Sequence, residues 1–410
     1  MAPTSYSWNV VNTIRTDIES FGYSIELSHD GTFMAIASPK SEGGKGRFDI
    51  YKLQDFLGEE QHWVPVVADS AQVGESTGDQ MSLGMHLSGD GGTVAVGSPF
   101  NGNGLVQVFQ IDKAGQSIAP KGQPLVGLGS GSQYGYSIAL NFDGNILFIG
   151  APDHANIIDE VVGLVQVFDY DTTNDEWVQS GSDIVGSDNG SRFGHSVSAA
   201  DLGNRVVVGA PLEDTPDVDA GEIHFYELQE GEWFEFAKGD ANGESPGSQL
   251  GTHVAISGHG FVIASGSTKS SLEEYPEAGL MEIWSADPRC LENVSWPGYP
   301  ISGTDEGVMF GHDIDVDENG KLSIASGQNN NGNAGYVRIY EFQGGAFEVY
   351  GPEIMGPELG TCEWLGKGPS VTIAAKRERI AIGYECVMSN GLSRAEVRVF
   401  DYYTVAGRDQ

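Results

Sequence analysis

Oxygen-bearing side chains cluster at a few places along this 410-residue chain. The run LEDTPDVDAG holds Glu213, Asp214, Asp217 and Asp219, and DHANIIDEVVG holds Asp153, Asp159 and Glu160. QNNNGNAG adds Asn329, Asn330 and Asn331. Carboxylates and amides grouped in this way can receive a basic partner or bridge through a divalent cation. The plainer alternative is a ring of solvated acidic loops. Histidines form a second group. His195 and His312 each follow a Phe-Gly, while His86 and His253 stand one position further on after a Leu-Gly. Several imidazoles around one axis can share a metal. Tyr23, Met85, Tyr136, Thr252 and Lys367 fill the same slot elsewhere, which favours packing or channel lining.

Nucleophile and zinc-protease signatures are absent: no H-E-x-x-H and no G-x-S-x-G occurs. GTCEWLGK from Gly360 misses the phosphate-loop spacing by one residue and has Gly368 where Ser or Thr is required. The expectation on these grounds is a protein that is not an enzyme.

The elements that position these residues repeat. FGHSVSAADLGNRVVVGAP, from Phe193, alternates apolar and polar residues on either side of a Gly-Asn turn, the pattern of a β-hairpin. Related copies begin near 21, 83, 134, 250, 310 and 365, with the opening glycine at Gly22, Gly84, Gly135, Gly194, Gly251, Gly311 and Gly366. After each hairpin comes a variable loop and a third alternating run, such as GLVQVFQI or GEIHFYEL. A fourth, often Trp-bearing segment such as EWVQS or EWFEF usually follows. Four short strands repeated seven times, with no helical periodicity, predict an all-β fold: a seven-bladed β-propeller of four-stranded antiparallel blades spanning 1–410 as one domain. The variable acidic loops then share one rim, and loops on a rigid frame are where binding is expected. Trp8, Trp63, Trp177 and Trp233 belong to outer strands, read as inter-blade packing ahead of a stacking platform for sugars.

The opening Phe-Gly and closing Gly-Ala-Pro, best seen in Phe193–Pro211 and Tyr134–Pro152, resemble the FG-GAP repeat of integrin α-subunit propellers and of many microbial and algal secreted proteins. The resemblance implies a binding or adhesion module that recognises a protein or glycan, commonly extracellular and often calcium-stabilised. The metal loop of such repeats reads D-x-D/N-x-D/N-G-x-x-D. Only DVDENGKLS approaches it, with Asp315, Asp317 and Asn319 as the implied ligands of one calcium ion and Ser323 where an acid is expected.

Composition narrows the partners. Fifty-eight acids against twenty-one Lys and Arg leave a formal net charge of −37, which repels phosphate backbones and excludes nucleic acid. A partner should instead be basic or cation-bridged. No apolar run is long enough for a transmembrane helix, and MAPTSYSWNV lacks the features of a signal peptide. The expected setting is extracellular or the cell surface, with an intracellular or organellar one as the alternative. The alternative functions are a polysaccharide-acting propeller lyase or glycosidase, or a structural subunit of an assembly.

Two structural expectations complete the reading. The last repeat lacks its fourth strand, and SYSWNVV at 5–11 has that strand's character, so the N-terminus should close the ring and remove an open sheet edge. Cys362 precedes strand one of the last repeat and Cys386 follows its strand two, so antiparallel pairing should bring them within bridging distance, leaving Cys290 free.

Overall fold

Every hairpin copy becomes the inner half of an antiparallel blade, and seven blades are present. The computed structural model describes residues 6–54, 62–66, 72–114, 117–158, 160–235, 241–271, 275–285, 299–304, 306–328, 335–343, 346–356, 362–363, 370–374, 378–388 and 393–404. Blade 3 shows the pattern: Ser137–Leu140, Ile146–Ala151, Leu164–Asp171 and Glu176–Gln179 pair in that order. The recurring turns GQPLVG, GSDIVG and GPEIMG supply a short fifth strand (Leu125–Val126, Ile184–Val185, Ile354–Met355) that returns to the start of strand three.

Second strands are buried on both faces, as in Thr93–Ser98 and Val262–Ser267. Alternate residues of a strand point to opposite faces, so each second strand feeds two interfaces. The core is accordingly divided into seven apolar clusters, one between each pair of neighbouring blades. Between blades 2 and 3, for example, Val106 and Val108 meet Ile138, Leu140, Leu147 and Ile149.

Blade contact explains the two recurring glycines. A Cβ on Gly97, in strand two of blade 2, would lie 1.9 Å from the carbonyl oxygen of Gly135, which opens blade 3. The same approach joins Gly150 to Gly194, Gly209 to Gly251, Gly266 to Gly311 and Gly383 to Gly22. Outer strands are joined by tryptophan: the indole N–H of Trp177 donates to Lys121 O (2.9 Å), that of Trp8 to Tyr350 O (3.3 Å) and that of Trp233 to Ser180 O (3.4 Å). These rings are inter-blade packing, as expected.

The ring closes through the N-terminus. Tyr6–Thr16 pairs antiparallel with Ser393–Thr404 as the outermost strand of blade 7, with Trp8 opposite Tyr402. The closing strand runs five residues past the expected Val11. Among the described residues no helix is long and apolar enough to cross a membrane.

Candidate active site

Strand one of each blade faces the axis. Register against strand two places Glu26, His86, Ala139, Ser198, Ala255, Asp315 and Thr372 at one level around it, each opposite the third residue of its second strand. One level nearer the rim where strand one begins stand Ser137, Ser196, His253, Asp313 and Ser370. All of these except Ala139 and Thr372 line a polar cavity of about 250 Å³. At the opposite end the hairpin turns converge: His29 N–H donates to Gly89 O (2.9 Å), Phe142 N–H to Asp201 O (3.0 Å) and Asp201 N–H to Gly258 O (2.8 Å). His29 Nε2 lies 3.7 Å from Asp201, three blades away, so the channel is constricted there.

An innermost strand has an unpaired edge, and its N–H groups need acceptors. The preceding blade supplies them through side chains. Leu140 N–H donates to His86 Nδ1 (3.2 Å), Ile256 N–H to Ser198 Oγ (3.2 Å) and Leu27 N–H to Thr372 Oγ1 (3.3 Å). Between blades 6 and 7 carboxylates do this: Asp313 accepts Val371 N–H (2.9 Å), and Asp315 accepts Ile373 N–H (2.9 Å) and the Thr372 hydroxyl (3.1 Å).

These contacts set the protonation of the channel. His86 accepts at Nδ1, so its proton sits on Nε2 and the ring is neutral; burial, helped by His29, lowers its pKa to about 4. Burial raises Asp315 to about 6 against the pull of its hydrogen bonds to Ile373, Val316 and Thr372. Glu26 is raised well above the usual carboxylate range by burial and then by the charges of Asp315 and Asp313. Burial and the neighbouring charges thus push Glu26 toward its protonated form beside Asp315, an arrangement that sets an acid apart from a base. Nearer the mouth, the Tyr136 hydroxyl lies 3.4 Å from His195 Nε2, and His253 Nδ1 lies 3.6 Å from Asp313.

The sequence-selected loop residues make mostly local contacts. Asp153 accepts from Gln133 and lies 3.5 Å from Arg192; Glu160 accepts the Asn156 amide; Asp214 accepts Asp219 N–H at 3.0 Å; Asp217 is exposed. Asp159, Asn329, Asn330 and Asn331 lie outside the described residues. Glu213 departs from the picture of solvated loops: it is buried, with its carboxylate 3.1 Å from His224 Nε2, while Glu235 lies 2.8 Å from Nδ1. Glu213, Glu222 and His224 bring one ligand atom each to within 4.8 Å of one another.

The loop at Asp315 is used by the fold itself. Asp317 accepts the N–H groups of Lys321 (2.6 Å) and Leu322 (3.0 Å), closing the hairpin turn. Ser28, Ser88, Asn141 and Ser257 cap the same turn in blades 1, 2, 3 and 5. Asp315 faces the channel, and the Asn319 carbonyl accepts from His259 at 2.9 Å. Backbone register puts Cys362 opposite Met388 and Cys386 opposite Arg394; their side chains lie outside the described residues.

No family model matches the chain, and no curated protein matches it in sequence. Solved structures share its fold. The periplasmic gluconolactonase of Pseudomonas aeruginosa aligns over 82% of this chain and 85% of its own, at 15% identity and a TM-score of 0.52. An oligogalacturonate lyase solved with manganese aligns over 96% of both chains, at 12% identity and a TM-score of 0.50. The Saccharomyces cerevisiae core factor aligns over 99% of this chain and 62% of its own, at 9% identity and a TM-score of 0.51. What these likenesses carry is the propeller, and no match supports the FG-GAP assignment beyond it. The expectation that the chain is not an enzyme is corrected: its fold recurs in a lactonase and a lyase. Linear signatures do not report on a channel whose ionisable groups come from separate blades.

Proposed function

We propose that the protein is a propeller enzyme that cleaves a neutral glycan in its central channel by general acid–base chemistry. The carrying observation is the convergence of Glu26, Asp313 and Asp315 on one cavity, with the pKa of Glu26 raised by burial and by the other two. Glycosidic hydrolysis needs a protonated carboxyl to give a proton to the leaving oxygen and an ionised one to activate water or attack the sugar. Glu26 fills the first role and Asp315 the second. Hydrogen bonds from the Ile373 and Val316 backbone fix the Asp315 carboxylate, so it is oriented before substrate arrives. Neutral His86 presents an Nε2–H donor to a sugar hydroxyl.

Charge selects the substrate. A net −37 and a carboxylate-lined channel oppose a polyuronate, while a neutral polysaccharide enters without that penalty. The strongly acidic surface and a polymeric glycan substrate both suit an extracellular setting. The test is release of reducing ends from a panel of neutral polysaccharides. Activity on at least one, reduced at least a hundredfold in Glu26→Gln with the circular dichroism spectrum retained, is expected. Activity unchanged in Glu26→Gln, or none on any neutral glycan, overturns the proposal.

A further inference from the structure

Away from the channel, we infer that Glu213, Glu222 and His224 on the rim of blade 4 form a binding site for one first-row divalent cation, with zinc as the best fit. The inference is independent of the catalytic reading. Glu213 and His224 are buried, Glu222 is half-buried, and their ligand atoms lie within 4.8 Å of one another. The His224 Nε2 to Glu213 separation of 3.1 Å is close to the edge of a tetrahedron with bonds of about 2.0 Å, the length of zinc–nitrogen and zinc–oxygen contacts. Glu235, 2.8 Å from Nδ1, holds the imidazole so that Nε2 faces the two carboxylates. Metal-ligating histidines are characteristically oriented by such a carboxylate.

The other blades provide an internal control. The positions of Glu222 and His224, first and third after Gly221, hold Arg47 and Asp49 after Gly46 in blade 1 and Glu396 and Arg398 after Ala395 in blade 7. Those pairs neutralise themselves: Arg47 lies 2.5 Å from Asp49, and Glu396 is bonded by both Arg398 and Arg15. Blade 4 instead gathers three carboxylates, Glu213, Glu222 and Glu235, around one imidazole. A proton on Nε2 serves Glu213 alone, whereas a divalent ion satisfies Glu213 and Glu222 together. One nitrogen among oxygen donors favours zinc or manganese over calcium, which takes oxygen ligands in larger number.

The test is calorimetric titration of chelator-treated full-length protein with zinc, manganese and calcium in turn, with thermal unfolding followed in parallel. One zinc per chain is expected, with an upward shift in Tm and calcium at least a hundredfold weaker. Glu222→Gln, at the half-exposed ligand and the variant best able to fold, should weaken zinc at least tenfold. Glu235→Gln should weaken it roughly 10- to 100-fold, the effect of losing an orienting partner. Asp315→Asn should leave zinc binding intact. No stoichiometric zinc binding, or zinc binding unaffected by Glu222→Gln, overturns the inference.

Discussion

Gly97→Ala adds a single methyl group where the structure has no room for one. Its Cβ would stand 1.9 Å from the Gly135 carbonyl oxygen, 2.8 Å from the carbonyl carbon and 3.0 Å from Cα. All three are backbone atoms, so no side chain can rotate away. Restoring an ordinary contact of about 3.4 Å means moving blades 2 and 3 apart locally by about 1.5 Å, across a cluster that includes Val106, Ile138 and Ile149. Such overpacking costs typically 1–3 kcal/mol and sometimes more, while stiffening the unfolded chain returns roughly 0.4–1 kcal/mol. A net loss of about 1–2 kcal/mol follows. With an unfolding entropy of about 2.1 cal/mol/K per residue over 410 residues, Tm should fall by roughly 1–2 °C. Differential scanning calorimetry reads this directly. Gly129→Ala is the control, because nothing lies within 4 Å of that position. Equal Tm values for the two variants would refute the view that paired glycines set the spacing between blades.

Other parts of the structure make separate predictions. Trp8→Ala should cost about 3–5 kcal/mol in urea unfolding, since the ring is buried against Tyr350 and Tyr402 in the strand that closes the ring. Lys121 is buried, with Nζ 2.7 Å from Gly144 O and 2.9 Å from Asn145 Oδ1; Lys121→Met should cost about 1–3 kcal/mol by stranding those acceptors. Asp315, held near a pKa of about 6 by burial, binds its proton more tightly folded than unfolded. Stability should therefore fall as pH rises from about 4 to about 6, and Asp315→Asn should flatten that slope in thermal melts across this range.

Much of the architecture was readable because each blade repeats the same local chemistry. The Phe-Gly and Gly-Ala-Pro glycines mark a real backbone contact, and Trp8 announced the closing strand. The channel was harder to read. Aligning repeats on their opening glycine put His86 near the level of His195, yet the hairpin of blade 2 is two residues shorter, and pairing places His86 level with Glu26 and Asp315. Glu26 stood out by no spacing at all, because its partners lie some 290 residues away in sequence. The acidic loop LEDTPDVDAG looked uniform, but Glu213 turns inward onto His224 while Asp217 faces solvent. A pattern of residue types shows which strand a side chain occupies, and only the closed ring shows which others it meets.

The most direct test of the catalytic reading is a crystal structure of Glu26→Gln soaked with an oligosaccharide of the neutral polysaccharide that the wild-type protein cleaves. The account predicts sugar density in the central channel, with a glycosidic oxygen beside residue 26 and Asp315 on the other side of the same bond. An oligosaccharide bound only on the rim loops around Asp153 or Asp217, with the channel holding solvent alone, would contradict it.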